Sequence, residues 1–149
     1  MAVQRTLVLC KPDAVQRGLV GRIVERFEQK GLKIAGMKML QVTEELAKRH
    51  YQEHVAKPFY AELQSFITSS PIVAMAIEGE NAVEVVRNLM GVTNPQQAAL
   101  GTIRGDFGLN LTMNLVHGSD SLVSAEREVA LFFEPNELYD YTMTMKAWT

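Results

Sequence analysis

The sequence predicts an α+β fold in which a four-stranded antiparallel sheet is covered by helices. Three observations carry this expectation. Apolar runs of strand length alternate with segments of helical periodicity, in the order β-α-β-(αα)-β-α-β-α. The 149 residues fit a single domain, spanning 1–149, that is large enough to bury a core without disulfides. With 47% apolar and 21% charged residues, ten Gly and five Pro, the chain is neither disordered, collagen-like nor a coiled coil.

The first strand is the aliphatic run Thr6 to Cys10, closed by a turn at Lys11-Pro12-Asp13. After Gly18 and Gly21, apolar Ile23, Val24 and Phe27 hold helical spacing, charged residues take the opposite face, and Gly31 stands where a helix stops. Leu32 to Val42 has strand character broken at Gly36, which points to a bulge or a close backbone approach. Thr43 followed by Glu44 and Glu45 starts a helix, since a hydroxyl and two carboxylates suit its positive end.

Pro58 breaks that stretch, and a second helix is expected from Phe59 to Ile67. Pro71 to Ile77 is a continuous apolar strand, and Asn81 is expected to cap a helix through Leu89 that stops at Gly91. Residues 92–108 read as a long Gly- and Pro-containing loop, a length that in a small domain points to function. Asn110 to Val116 is the fourth strand, residues 118–121 turn, and Leu122 to Phe132 is the last helix. Four strands with two principal crossovers match the split β-α-β, ferredoxin-like plan, to which a helical hairpin near residues 44 to 69 and the long loop are additions.

Fifteen Lys plus Arg against seventeen Asp plus Glu give a net charge of −2, too little for a global field that would hold nucleic acid specifically, so any anion site must be local. A single cysteine, Cys10, excludes disulfide scaffolds and cysteine-rich zinc sites. Residues 1–5 lack the apolar segment of a secretory signal, and no apolar run approaches the ~20 residues of a membrane span. The expectation is a cytoplasmic protein without membrane partners.

His50-Tyr51-Gln52-Glu53-His54 spells H-x-x-E-H, the zinc pattern in which two imidazoles share a helix face. A third protein ligand is not evident and Pro58 follows closely, so the preferred reading is two solvated side chains on an exposed helix, with a zinc hydrolase as the alternative. His117 stands instead at the end of an apolar strand before a sharp turn, where ligands collect in sheets of this kind. A neutral imidazole is a nucleophile once an acceptor holds its other ring nitrogen protonated, and Glu128 on the following helix is a candidate acceptor. Lys11, Arg87, Thr93 and Arg104 could supply a phosphate site, although no P-loop or dinucleotide fingerprint is present.

Asn114-Leu115-Val116-His117-Gly118-Ser119-Asp120 resembles the N-x-x-H-G-S-D active-site signature of the nucleoside diphosphate kinases. The likeness runs from Arg5 through Lys11-Pro12-Asp13, Gln16 to Gly21, Tyr51, Lys57-Pro58-Phe59, Thr93-Asn94-Pro95 and Gly101 to Asp106, as far as Trp148. It implies Mg²⁺-dependent ping-pong transfer of a γ-phosphoryl group from a nucleoside triphosphate to a nucleoside diphosphate through phospho-His117.

By the same resemblance Arg87, Thr93 and Arg104 hold the phosphates, with Mg²⁺ carried on the nucleotide and no dedicated protein ligands. Lys11 reaches sugar and phosphate, Asn114 the ribose, and Tyr51 lies beside the nucleophile. Glu128 orients the His117 ring and Ser119 supports Glu128. The base lies between Phe59 and Leu111, which implies breadth over base and sugar because stacking tolerates any base. A non-catalytic nucleotide sensor on the same fold is the other alternative.

Three departures from the family pattern stand out: Ala14 after Lys-Pro-Asp, the segment Gln96 to Leu100, and the C-terminal Trp148-Thr149. The last two bear on assembly, for which the resemblance implies a homo-oligomer, a hexamer ahead of a tetramer.

Overall fold

The computed structural model describes residues 2–149. Its sheet contains β1 (Val3–Cys10), β2 (Lys33–Leu40), β3 (Ile72–Glu80) and β4 (Val116–Gly118), in the order β2-β3-β1-β4 with every pairing antiparallel. The helices are α1 (Pro12–Gln16), α2 (Val20–Lys30), α3 (Glu44–His50), α4 (Tyr60–Ile67), α5 (Ala82–Met90), α6 (Ile103–Phe107) and α7 (Leu122–Phe132). This is the expected ferredoxin-like arrangement, with α3 and α4 as the added hairpin.

Strand alternation divides the core in two. Val8, Cys10, Val73, Met75 and Ile77 face one side and pack against Ile23 and Phe27 of α2 and Val86 and Met90 of α5. Leu7, Leu9, Ile72, Ala74 and Ala76 face the other and meet Ala47 of α3, Ile67 of α4 and Val129 and Phe132 of α7. Because both faces are covered, β1 and β3 read in the sequence as unbroken apolar runs rather than as alternating ones.

Several boundaries follow their cues closely. Thr43 Oγ1 accepts the backbone N–H of Leu46 at 3.1 Å, and Gly31 ends α2 with φ 99°. β2 shifts register between Ile34 and Gly36, where a Cβ would come within 2.9 Å of Leu138 Cδ2 and 3.0 Å of the Glu137 carbonyl.

Other expectations are corrected. Lys11-Pro12-Asp13 is not only a turn: Lys11 is the extended N-cap of α1, with Pro at the first helical position, which needs no N–H donor. α3 ends at His50 instead of running to Pro58. α5 reaches Met90, one residue past the expected end. Residues 92–108 are not continuous loop, because a 3₁₀ turn, Pro95–Gln97, and α6 lie within them, the latter capped by Thr102 Oγ1 accepting from Gly105 N at 3.0 Å. Most consequentially, the fourth strand is confined to residues 116–118, and 110–115 are irregular.

Candidate active site

Among the described residues β4 pairs only with β1, setting Leu9 opposite His117 and Cys10 opposite Val116. The pleat sends His117 to the side of the sheet that packs α3 and α7, whereas Val116 joins the core beneath α2 and α5. The ring therefore meets Glu128 of α7 and His50 of α3.

His117 Nε2 lies 2.8 Å from Glu128 Oε1, and Ser119 Oγ donates to the same oxygen at 2.7 Å. Ser119 is fixed in turn, its hydroxyl accepting from Leu7 N at 3.3 Å and its own N–H donating to Leu7 O at 3.2 Å. Burial pushes the Glu128 carboxyl up, but the His117 and Ser119 hydrogen bonds and the charge of the imidazole hold it below its ordinary value. An ionised carboxylate can only accept. Nε2 consequently carries the imidazole proton, and Nδ1 is left with the lone pair. The side chain is 26% exposed and lines a cleft of about 640 Å³.

The backbone just before the histidine is unusual. Leu115 has φ 75°, and Val116 N donates to Asn114 O at 2.9 Å, the i to i+2 bond of a γ-turn with positive φ, a rare and strained form. Distant groups hold it. Asp13 Oδ2 accepts from Leu115 N at 3.0 Å, Leu115 O accepts from Lys11 N at 2.8 Å, and Arg104 Nε donates to Asn114 O at 3.2 Å. Those bonds replace the ladder that a strand over 110–115 would require.

Besides Arg127, which pairs with Glu128, three cations among the described residues line the cleft. Arg104 is buried and spans three carbonyls, with Nη1 donating to Gly91 O at 2.9 Å and Nη2 to Val116 O at 2.7 Å besides its Nε bond. Burial, and then the charge of Arg87, lower its pKa to about 10. Lys11 Nζ donates to Asn114 Oδ1 at 2.6 Å, and Asn114 Nδ2 to Thr93 O at 3.1 Å, so a single amide ties lysine and threonine together. Burial brings Lys11 down to about 8, Asp13 offsetting part of the effect. Arg87 Nη1 donates to Gly118 O at 3.3 Å.

Among the described residues none of the three is in a salt bridge with a carboxylate. Neutral carbonyls and one amide take their direct hydrogen bonds, so no carboxylate is bonded to them, although Asp13 acts on Lys11 and Asp120 on Arg87 through space; cations held in this way suit an anion site. Such a donor set suits phosphate oxygens and does not suit a bare Mg²⁺, which takes carboxylates and water. The residues thus fit a magnesium ion that arrives bound to a polyphosphate.

Phe59 and Leu111 stand on the cleft at 47% and 57% exposure, so neither belongs to the core. Tyr51 lines the same cleft with its ring 4.6 Å from that of His50, and burial raises its phenol to about 12. Lys11, Tyr51, Phe59, Arg87, Thr93, Arg104, Leu111, Asn114, His117 and Glu128 all line this one cleft. Ser119 reaches it through Glu128.

The histidines of H-x-x-E-H are corrected. His50 is 5% exposed, not solvated, with its ring edge-on to His117 at 4.6 Å and to Phe132 at 5.3 Å. Burial, followed by the neighbouring His117 charge, lowers its pKa to about 3. His54 lies beyond the end of α3 among turns, its ring 5.5 Å from Phe59, so the two imidazoles do not share a helix face. Sequence reading also missed Arg127, whose Nη2 lies 3.6 Å from Glu128 Oε2. Its place one residue before Glu128 on a helix bordering the site was the available signal.

A family model described as nucleoside diphosphate kinase matches residues 4–138. The chain belongs to the nucleoside diphosphate kinase family. It is 57% identical over 146 residues to the nucleoside diphosphate kinase of Staphylococcus epidermidis, covering 98% of each chain. A halophilic nucleoside diphosphate kinase from Halobacterium salinarum, solved in complex with CDP, superposes with a TM-score of 0.96 at 54% identity, over 99% of this chain and 98% of that one. A nucleoside diphosphate kinase family protein from Babesia bovis does so with 0.95 at 45%, over 97% and 98%. As a nucleoside diphosphate kinase family member the chain is a phosphotransferase that acts on nucleotides. Among the described residues no helix is long and apolar enough to cross a membrane.

Proposed function

We propose that the enzyme moves a γ-phosphoryl group from a nucleoside triphosphate to a nucleoside diphosphate in two half-reactions through phospho-His117. The observation that carries this reading is the polarity of one ring: Glu128 holds Nε2, and the nitrogen with the lone pair belongs to an imidazole on a cleft lined by Lys11, Arg87 and Arg104, none of them bonded to a carboxylate among the described residues. Nδ1 attacks the γ-phosphorus, the N–P bond forms as the bridging P–O bond breaks, and the electron pair leaves on the diphosphate. Ser119 and Glu128 stabilise the Nε2–H of the ring as positive charge develops on it. Arg87, Arg104, Thr93 and Lys11 bind the phosphates and follow the charge from the γ-group to the departing oxygen. Bound on the nucleotide, Mg²⁺ would neutralise phosphate charge. A second diphosphate then takes the group by the reverse of these steps.

Phe59 and Leu111 clasp the base by apolar contact, and Asn114 with Lys11 reaches the ribose, which supports broad base and sugar specificity. The CDP bound by the Halobacterium protein is in keeping with a nucleotide in the cleft. We further propose one domain over the chain, a cytoplasmic setting in keeping with the free Cys10 thiol, and a homo-oligomer, a hexamer ahead of a tetramer. Exposed Met37 and Met39 on edge strand β2 and Leu100 and Leu109 beyond α5 support self-association, to be measured by native mass spectrometry.

The test of the mechanism is incubation with γ-labelled ATP. The expected product is a base-stable, acid-labile phosphoenzyme that is absent from His117→Ala and discharged by added GDP. Label retained in His117→Ala would overturn the assignment.

A further inference from the structure

The proposed transfer leaves His50 without a task. Both of its ring nitrogens are buried and neither has a hydrogen-bond partner among the described residues, a state that native interiors seldom tolerate without reason. The ring is aimed edge-on at His117. One ligand atom from each of His50, His117 and Glu128 lies within 4.8 Å of the others. The three come from α3, β4 and α7, so only the folded chain assembles them.

We propose that His50, His117 and Glu128 form a binding site for a borderline transition-metal dication, Zn²⁺ above all, and that its occupancy switches off the nucleophile. Two imidazoles and one carboxylate are a donor set that zinc accepts, with a fourth position open. Magnesium, which seeks oxygen, does not compete for two imidazoles. Tetrahedral zinc with bonds of about 2.0–2.1 Å places its ligand atoms roughly 3.4 Å apart, so the 2.8 Å contact of His117 with Glu128 must open slightly while the wider separations within the cluster close. His117 is the member able to move, standing partly exposed at the cleft while His50 is buried. Lys11, Arg87, Arg104 and Arg127 line the same cleft and favour an anion, chloride or inorganic phosphate, as the fourth ligand.

The inhibition follows from electron counting. A neutral imidazole has one ring lone pair, and whichever nitrogen coordinates the metal uses it while the other carries the proton. With zinc bound, the ring has no free lone pair with which to attack phosphorus. This inhibitory half rests on the phosphohistidine reading; the metal site does not.

The experiment titrates EDTA-stripped protein with ZnCl₂ in excess Mg²⁺, by calorimetry and by counting bound metal after dialysis. One zinc per chain is expected. His50→Phe, which keeps an edge-on ring but no nitrogen, should bind it at least about tenfold more weakly, and His54→Gln should bind as the parent does. X-ray absorption of the zinc-loaded parent should show two imidazoles and a carboxylate, a readout that holds even if His50→Phe does not fold. Labelling from ATP should slow at least about tenfold at saturating zinc and recover with EDTA. No stoichiometric zinc, undiminished binding in His50→Phe, or loss of binding in His54→Gln overturns the site. Stoichiometric zinc with unimpeded labelling overturns the inhibition alone. A parent that never labels refutes the phosphohistidine reading and leaves the metal result standing.

Discussion

Replacing Arg104 sets two effects of similar size against each other. Burial lowers its pKa from 12.5 to about 10. At about 1.36 kcal/mol per unit, keeping the charge inside costs the folded protein roughly 3 kcal/mol at neutral pH. Against this stand three hydrogen bonds from a charged donor to the carbonyls of Asn114, Gly91 and Val116. At about 1.5–3 kcal/mol each they contribute roughly 4.5–9 kcal/mol. The bonds win. Arg104→Met should therefore destabilise the fold by about 1.5–6 kcal/mol, read by urea unfolding followed by circular dichroism at one protein concentration. Arg104→Lys keeps the charge but offers no planar fork, so it should recover part of the phosphate binding and little of the stability. Phosphoenzyme formation in rapid-quench experiments should slow by several orders of magnitude in the Met variant, as for other arginines that stabilise phosphoryl transfer. A Met variant within about 0.5 kcal/mol of the parent would refute the accounting, and near-parental labelling would remove Arg104 from the site.

Lys11 should set an alkaline limit on nucleotide binding. With its pKa near 8 in the free protein, diphosphate affinity should fall as pH passes that value, whereas global stability should rise between pH 8 and 10.5, because there the unfolded chain holds the proton that the folded chain has lost; calorimetry from pH 7 to 9.5 showing constant affinity would contradict this. Phe59→Ala should weaken nucleotides of all four bases alike, by about 1–3 kcal/mol, and a loss confined to purines would argue against simple stacking. Gly36→Ala drives a methyl to within 2.9 Å of Leu138 and 3.0 Å of the Glu137 carbonyl, and should cost about 1–3 kcal/mol in thermal unfolding; a neutral result would mean that the 3₁₀ turn Pro135–Glu137 yields freely.

Elements whose hydrogen bonds close locally were legible in the sequence. α7 matches its expected limits, Leu122 to Phe132, because Ser121 caps it and its apolar face repeats at helical spacing. The bulge at Gly36 was legible because glycine has few other uses inside a strand. The burial of His50 was not: Phe132 and His117, which enclose it, lie more than sixty residues away. Nor was the split of residues 92–108, since α6 depends on a Thr102 cap that a loop-like composition conceals.

Residues 110–115 show why a strand pattern failed beside the nucleophile. Apolar residues at 111, 113 and 115 alternate as a strand would, and only tertiary contacts overrule them. A continuous ladder would leave Leu115 N and Asn114 O to a neighbouring strand. Instead Asp13 and Arg104 take them, while Lys11 N takes the Leu115 carbonyl. Lys11 and Arg104 thus hold the Leu115 turn through one set of atoms and present cationic groups to the cleft through another. The strained turn is how the chain arrives at His117 with Asn114 facing Lys11 and the imidazole facing Glu128. Relaxing it into regular strand would cancel the half-turn that sets those two side chains in one cleft, so the local conflict between pattern and structure is a consequence of building the site.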